Sequence, residues 1–393
     1  MATITNPNES LIFAGDAKDI SVSCSGPLTV TIEVGGGEFS FKADPVNGTV
    51  VLPLRQLLKA LPVPSIGLTD DNMEIAGVDV TVSDTAPVAP SISLKVLPGK
   101  IGCEQEDVPG VLVTNFATWR PQVCKVCKWG MDRMYIVLPF SYGTRVPFYF
   151  SGAVRIKAYT DVGLLSLDSF MTFENANGTI MSVPCDYATV AAALQQDNPD
   201  LDFGEIIAYD INFYWNLTGR VHSSSVQRFV LARSRSDWRQ FIFRNSLGVF
   251  DALYSTGSFK DAPEYDIVQF TNNETDSEID NHISRIFEVN TGRISNELER
   301  RMWLEFFGSD ERYMVSPYDS TPRRIIVDEV ECKHTLRQSN TATFRFHFAE
   351  PDAGRLVVRE ELPEWTDYGG RLMTAEGDYF KTSEGKFIIL KRE

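Results

Sequence analysis

The sequence lacks the features that would send a chain into or across a membrane. Its first residues, Met1 to Gly15, have neither the basic start nor the long apolar run of a secretory signal. No stretch approaches the ~20 apolar residues that a helix needs to cross a bilayer. We therefore expect no membrane association, and the triplet Asn216-Leu-Thr218 does not indicate glycosylation.

Cysteine is scarce, since six cysteines in 393 residues are too few for a disulfide scaffold. Cys124 and Cys127 form a C-x-x-C pair, but structural zinc usually needs four ligands. Cys103 and Cys185 are distant candidates, and the first histidine is His222. A thioredoxin-like redox role needs a βαβ context, which the pattern lacks. We expect buried or inert thiols and no cofactor; a structural metal at Cys124 and Cys127, or redox chemistry, are the alternatives.

Motifs for common catalytic sites are also absent from the sequence. There is no H-E-x-x-H zinc pattern, no G-x-S-x-G elbow and no G-x-x-x-x-G-K-[ST] phosphate loop. Carboxylates are abundant, and a glycosidase needs only two of them, in a geometry that sequence does not show. We predict no catalytic residues and therefore a protein that is not an enzyme.

The charge balance excludes a general binder of anionic polymers. The formal net charge is −16, which repels phosphates of nucleic acids and lipids. One local basic cluster runs from Arg233 to Arg239. We interpret it as a solvated loop or as a patch for an acidic copy of the same chain; a nucleic-acid or other acidic partner is the alternative. Tyr214 and Trp215 lie in an alternating segment, which favours core packing over a carbohydrate site.

Apolar residues are plentiful and they alternate along the chain. Hydrophobic residues make up 43% of the sequence and aromatic residues 11%. Leu28 to Val34 alternates with a period of two, and the glycines after it predict a hairpin. Thr341 to Phe348 alternates in the same way, with its phenylalanines facing inwards. The sequence predicts a mainly β protein of several β-sandwich-like domains, with a few short helices and a C-terminal β-hairpin repeat.

Three segments have helical spacing. Leu54 to Leu61 is amphipathic, and Asp186 can cap a helix over Tyr187 to Gln196. The third helix is predicted from Ser295, as N-cap, to Phe307. Its predicted apolar stripe consists of Leu298, Met302, Trp303, Phe306 and Phe307.

Turn-rich segments divide the chain into four predicted parts. They are an N-terminal β-sandwich domain (1–100), a central β domain (101–240), a C-terminal β domain with one amphipathic helix (241–350) and an extended tail (351–393). The tail has an eight-residue repeat with Glu-Gly turns, which is typical of small hairpins. Because such hairpins are too small to fold alone, we expect the tail to dock on a neighbouring chain. The candidate interaction residues are Leu372, Tyr379, Phe380 and Phe387.

Three segments together resemble a known group of proteins. They are Phe41 to Leu58, the run Phe243 to Val249 followed by the third helix and the last two strands, and the terminal repeat. The chain resembles tail-associated virion structural proteins of Bacteroidetes phages and prophages over about two thirds of its length. Phe250 stands where similar proteins usually have proline.

The resemblance implies a structural and assembly protein of a phage tail or baseplate, with no catalytic residues to carry over. We expect it to form an oligomeric ring, to contact other phage tail proteins, and to bind no specific nucleic acid. Its expected location is the virion, after assembly in the host cytoplasm. The alternatives are a carbohydrate-binding host-adhesion module and a glycoside hydrolase acting on surface polysaccharide.

Overall fold

The computed structural model describes the chain from Ala2 to Ala349 with gaps. The described residues are 2–8, 11–61, 63–83, 89–100, 116–138, 151–174, 178–199, 204–217, 220–233, 235–262, 264–272, 275–318, 321–333 and 341–349. Side chains are described for these residues except 217, 220, 264–284 and 333. Most elements are strands in several sheets, so the prediction of a mainly β fold is confirmed.

The N-terminal part is two sheets that share one core. A three-stranded sheet has the order β1-β3-β6, and a five-stranded sheet has the order β2-β9-β8-β4-β5. Alternate residues of β4 and β8 face the core, and each fully buried aliphatic side chain contributes roughly 1.5–3 kcal/mol. Ile20, Val30, Ile32, Val78 and Val80 are among the fully buried ones. The elements are β1 (Thr3–Thr5), β2 (Leu11–Phe13), β3 (Ile20–Ser23), β4 (Leu28–Val34), β5 (Gly37–Ala43), β6 (Thr49–Leu52), α1 (Leu54–Ala60), β7 (Asn72–Glu74), β8 (Ala76–Ser83) and β9 (Ser91–Leu97).

The predicted hairpin after Leu28 is present as β4 and β5. Gly35 and Gly36 have φ angles of 54° and 84°, and two positive φ angles in succession are what a type I′ turn requires. Glycine adopts them without a steric cost. The turn sets a register in which Ile32 lies opposite Phe39.

The central part is built on one large sheet of order β10-β17-β15-β12-β13, with β16 paired to β15. Its inner face packs on α2, where Val190 and Leu194 are buried. As predicted, Asp186 caps α2, since its side chain accepts the backbone N–H of Thr189 at 2.9 Å. The elements are β10 (Val123–Val126), β11 (Arg133–Val137), β12 (Ser151–Thr160), β13 (Leu164–Glu174), β14 (Thr179–Pro184), α2 (Tyr187–Asp197), β15 (Ile206–Leu217), β16 (Arg220–Ser223) and β17 (Gln227–Leu231).

The C-terminal part is a seven-stranded sheet of order β19-β18-β24-β25-β26-β23-β20, with a separate two-stranded sheet β21-β22. The third helix packs on the large sheet through an aromatic core that contains Phe241, Trp303, Phe306 and Phe344. The elements are β18 (Arg239–Arg244), β19 (Phe250–Ser255), β20 (Phe259–Asp261), β21 (Glu264–Asn272), β22 (Thr275–Ser284), β23 (Phe287–Asn290), α3 (Glu297–Gly308), β24 (Arg312–Val315), β25 (Arg323–Lys333) and β26 (Thr341–Phe348).

Two details of the α3 prediction are wrong. The N-cap is Asn296, whose side chain accepts the backbone N–H of Glu299 at 2.8 Å. Ser295 lies one residue earlier, and the Glu299 carboxylate turns back to accept its N–H at 2.8 Å. Leu298 is 48% exposed and does not belong to the buried stripe, because the buried side of the helix begins at Met302.

A further core joins all three parts. β11 is buried on both faces, so that Met134 and Ile136 pack into the central core while Tyr135 and Val137 pack on the opposite side. There they meet Phe13 and Leu97 from the N-terminal part, together with Ile242, Val249 and Phe250 from the C-terminal part. β7 also pairs with β14, across the predicted boundary at residue 100. The predicted domain boundaries stay predictions, but the described parts up to Ala349 form one compact unit.

Candidate functional site

The predicted interaction residues of the tail, Leu372, Tyr379, Phe380 and Phe387, lie outside the described residues. Cys103 lies outside them as well. The role of the tail therefore stays a prediction.

Cys124 and Cys127 lie at β10, at the edge of the central sheet. The thiol of Cys124 donates to the carbonyl oxygen of Pro121 at 3.2 Å, and Cys127 is fully buried. Burial raises the pKa of Cys124 and the pKa of Cys127 to about 12 each. Both thiols are therefore protonated at neutral pH, whereas metal binding and redox attack need the thiolate. Within the described residues, no group of three or more His, Cys, Asp or Glu side chains could hold a metal ion.

The two aromatic residues that were candidates for a carbohydrate site point to opposite faces of β15. Trp215 is 4% exposed and packs in the central core, where it stacks on Phe213 with 5.1 Å between ring centroids. Tyr214 lies on the outer face. Because neighbouring residues of a strand alternate in direction, the pair does not form one aromatic platform.

The basic cluster from Arg233 to Arg239 is not a single surface patch. Arg239 begins β18 and is buried, with its guanidinium carbon 4.1 Å from the centroid of the Phe259 ring. Its Nη1 donates to the backbone carbonyls of Ser236 and Trp238 at 2.7 and 2.9 Å. Arg239 therefore packs within the C-terminal part. The exposed basic cluster is smaller than the sequence indicates, because it does not include Arg239.

Arg120 is the centre of a buried polar network that joins the central and C-terminal parts. Its guanidinium forms ion pairs with Asp132 at 3.1 Å and with Asp251 at 3.0 Å. Asp132 also accepts from the Tyr254 hydroxyl at 2.7 Å and from Gln240 at 3.2 Å. Burial opposes the charge on Arg120, but the two carboxylates raise its pKa above the ordinary value. The carboxylates of Asp132 and Asp251, which converge here, are thus both paired with Arg120.

The Phe243 to Val249 motif comprises the end of β18 and the turn that leads to β19. The turn contacts the network through Asp251. Asn245 accepts the backbone N–H groups of Leu247 and Val249 and donates to Asp251 at 2.8 Å. Gly248 has a φ of 83°, and a Cβ there would lie 1.8 Å from the carbonyl oxygen of Pro98. The turn therefore needs glycine in order to contact the segment that follows β9.

A cleft beside the network is too small for a substrate. It is lined by residues that include Arg120, Tyr135, Phe250 and Asp251, and its volume is about 10 Å³. A volume of this size holds about one water molecule. The buried network thus has the properties of a structural joint between parts of the chain.

The outer face of the central sheet presents a different set of polar groups, which we call the outer sheet face. Arg228 binds Asp210 with two hydrogen bonds of 2.6 and 2.7 Å and donates to the Tyr159 hydroxyl at 3.0 Å. Burial raises the pKa of Asp210, but hydrogen bonds from Arg228 and Tyr159 outweigh it and lower that pKa below its ordinary value. The face is formed by Val123, Lys125, Arg155, Lys157, Tyr159, Leu164, Asp168, Glu174, Asp210, Tyr214 and Arg228.

Guanidinium groups cover the tyrosine rings of this face. Arg155 lies over Tyr214 at 5.2 Å from the ring centroid, and Arg228 lies over Tyr159 at 5.0 Å. Arg155 also forms an ion pair with Asp168 at 2.7 Å. A sugar ring would have to displace these arginines in order to stack on the tyrosines, so the arrangement disfavours glycan stacking.

A second unusual feature is the hairpin of β21 and β22, which we call the arm. The two strands span residues 264–284 and pair only with each other among the described strands. The arm continues from β20 and β23, where the backbone N–H of Ala262 donates to the carbonyl of Ile286 at 2.8 Å. The arm is not among the elements that we predict from the sequence. Val268 lies opposite Asp280 and Gln269 lies opposite Glu278, so the extra residue of the register shift is in β22 and interrupts the alternation of that strand.

Neither a known protein family nor a curated protein matches the sequence. Among solved structures, a Salmonella alpha-2-macroglobulin reacted with methylamine is similar at 10% identity and a TM-score of 0.18, over 84% of this chain and 24% of that chain. The periplasmic chaperone SfaE is similar at 9% identity and a TM-score of 0.17, over 59% of this chain and 100% of that chain. The chain thus spans about a quarter of the first structure, and likenesses this weak carry no argument about function.

None of the helices in the described residues combines the length and the apolar character that crossing a membrane requires.

Proposed function

We propose that the protein is a structural and assembly component of a bacteriophage tail or baseplate, which forms an oligomeric ring and contacts other tail proteins. Its location is the virion, after assembly in the host cytoplasm. The observation that carries the proposal is the arm, a two-stranded hairpin that pairs with no other described strand. An isolated hairpin is at best marginally stable in water, which makes such an element useful chiefly in contact with another chain.

Other features support the same proposal. The buried polar groups of Arg120, Asp132 and Asp251 bind one another and join parts of the chain. Phe13, Tyr135 and Phe250 belong to one core shared by three parts. A joint of this kind suits a subunit that has to hold its shape within an assembly. The segments that resemble tail proteins include the turn at Asn245, which lies at this joint.

The proposal is tested by mass spectrometry of purified phage particles released from the strain that carries the gene. We expect peptides of this chain in intact particles, in a fixed ratio to known tail proteins, and antibody labelling at the tail in negative-stain images. Absence of the chain from intact particles would contradict the proposal.

A further inference from the structure

We infer that the arm of one copy docks on the outer sheet face of a second copy of the same chain. The inference rests on the proposed function, because it names the surfaces through which the proposed ring would form. Four observations carry it: the edges of the arm, which no other described strand pairs with, its charge, the composition of the outer sheet face, and the fact that the two surfaces differ.

The arm has backbone groups that need a partner. β21 has nine residues and β22 has ten, so the arm is roughly 30 Å long at about 3.3 Å per residue. Each strand of a two-stranded sheet has one edge whose alternate N–H and C=O groups lack a strand partner. Docking on a second chain would shield these edges and stabilise the hairpin.

The arm is strongly acidic, which restricts the surface that can receive it. The two strands contain five carboxylates, at Glu264, Asp266, Asp276, Glu278 and Asp280, and no lysine or arginine. The chain as a whole has a formal charge of −16, so most of its surface repels the arm. A receiving surface on a second copy must therefore be one where cations exceed carboxylates locally.

The outer sheet face meets this requirement. It has four cations and three carboxylates, and two of the cations, Arg155 and Arg228, already neutralise Asp168 and Asp210. Lys125 and Lys157 lie outside these two ion pairs, although Lys157 is opposite Asp210 in the register of β12 and β15. Glu174 lies at the far end of β13, where it pairs in register with Ser151. The region around the two lysines is therefore the positive part of the face.

The face also has the composition of a protein interface. Its polar residues include Tyr159, Tyr214, Arg155 and Arg228, and tyrosine and arginine are enriched in interfaces between proteins. Exposed apolar side chains lie beside them on the edge strands, where Val123 is 55% exposed and Leu164 is 53% exposed. Arm docking would remove this apolar area from water and bring the arm's carboxylates near Lys125 and Lys157.

Because the arm and the outer sheet face are different surfaces, a contact between them can repeat head to tail as a heterologous contact, whereas a reciprocal exchange of arms would form a closed dimer. Repetition of a heterologous contact closes into a ring when the rotation between copies permits it. The inferred contact is thus of the type that a ring-forming subunit needs.

The test is zero-length carbodiimide cross-linking of an equimolar mixture of isotopically light and heavy full-length protein. The reagent joins lysine amines to carboxylates in direct contact, and mixed-isotope products arise only between two copies. Trypsin releases the whole arm on one peptide, residues 261–285, because no lysine or arginine lies between Lys260 and Arg285. We expect mixed-isotope products that join this peptide to Lys125 or Lys157.

Matched variants then measure the contribution of charge. Neutralising the arm with Asp276→Asn, Glu278→Gln and Asp280→Asn is expected to raise the dissociation constant of the oligomer at least tenfold in sedimentation experiments. The control removes the same number of charges from the exposed face of β4, β5 and β8, with Glu33→Gln, Glu38→Gln and Asp79→Asn. It is expected to leave the dissociation constant unchanged.

The outcomes separate the inference from the proposed function. An oligomer that survives neutralisation of the arm, or that cross-links only through other surfaces, overturns the docking of the arm and leaves the ring intact. A chain that stays monomeric at every concentration overturns both the docking and the proposed ring.

Discussion

Arg120 is the residue whose side chain unites the buried polar groups of the chain. It is 7% exposed and binds two carboxylates, and its Nη2 also donates to the backbone carbonyl of Arg133 at 3.1 Å. Removing one member of a buried ion pair leaves the partner charge uncompensated, which costs about 3–5 kcal/mol. The network is therefore more sensitive to the loss of this one residue than to the loss of any single hydrogen bond within it.

We expect Arg120→Met to lower the free energy of unfolding by about 3–5 kcal/mol, because Asp132 and Asp251 are left buried without their cation. Urea unfolding at neutral pH measures the change. Arg155→Met is the matched control, since the ion pair of Arg155 with Asp168 is exposed, and exposed pairs contribute about 0–1 kcal/mol. Equal stability of the two variants would contradict the role given to Arg120.

Asp210 gives a prediction about pH. The pKa of Asp210 is lowered in the folded chain by Arg228 and Tyr159, in spite of burial, which raises it. A lowered folded-state pKa gives stability that is present above the ordinary aspartate pKa of about 3.9 and is lost as the pH falls through the folded-state value. We expect the wild-type protein to have a higher free energy of unfolding than Asp210→Asn. The difference is expected to be largest at neutral pH and to become smaller as the pH falls.

Urea unfolding of both proteins between neutral and acidic pH measures that difference. Glu33→Gln, at an exposed position of β4, serves as the control for the loss of one carboxylate. A difference between wild type and Asp210→Asn that stays constant down to strongly acidic pH would show that the Arg228 contact does not favour the charged form.

At the scale of elements, the start of α3 depends on a single side chain. Asn296→Ala removes the acceptor for the Glu299 N–H and is expected to cost about 1 kcal/mol of stability. Asn296→Asp keeps an acceptor oxygen at the same position and is expected to be close to wild type. The midpoint of urea unfolding compares the two. Equal destabilisation by both variants would place the cap elsewhere, for example at Ser295.

Elements with regular alternation could be predicted from the sequence. β4, β8 and β26 have one buried face each. A strand with one buried face has apolar residues at every second position, and this alternation is visible in the sequence. β11 shows why other elements could not be placed: four of its five residues are buried because the strand lies between two cores. Its pattern shows that the strand is buried and gives no indication of what packs on either side.

The candidate site was harder to predict than the fold. Tyr214 and Trp215 were recognised as a pair, but the direction of β15 relative to the core decides which of them is exposed. The cations of the outer sheet face come from separate strands, with Lys125 on β10, Lys157 on β12 and Arg228 on β17. They come onto one face of the sheet only through strand pairing, which is a non-local property. The tail residues predicted to interact stay a prediction.

At the scale of the whole molecule, the parts predicted as separate domains share a core and a polar network. Leu97, Tyr135 and Phe250 come from three different parts and lie in one cluster. Turn-rich segments mark where the chain changes direction, but they do not show whether the flanking parts pack together. The compactness of the chain up to Ala349 therefore depends on contacts between residues that are distant in sequence.

Replacing residues 264–284 with a two-residue Asn-Gly turn is expected to leave the thermal midpoint of the monomer nearly unchanged. The two strands of the arm pair with no other described strand, and Asn-Gly suits a tight hairpin that would join the neighbouring strands. Calorimetry at a concentration low enough to suppress assembly measures this. A large fall in the midpoint would indicate that the arm stabilises its own chain.

Sedimentation velocity of the full chain over a concentration series tests the central claim of assembly most directly. We expect one closed species with a mass that is a fixed multiple of the 44.0 kDa chain, and a monomer when the arm is replaced. A full chain that sediments as a monomer at every concentration would contradict it.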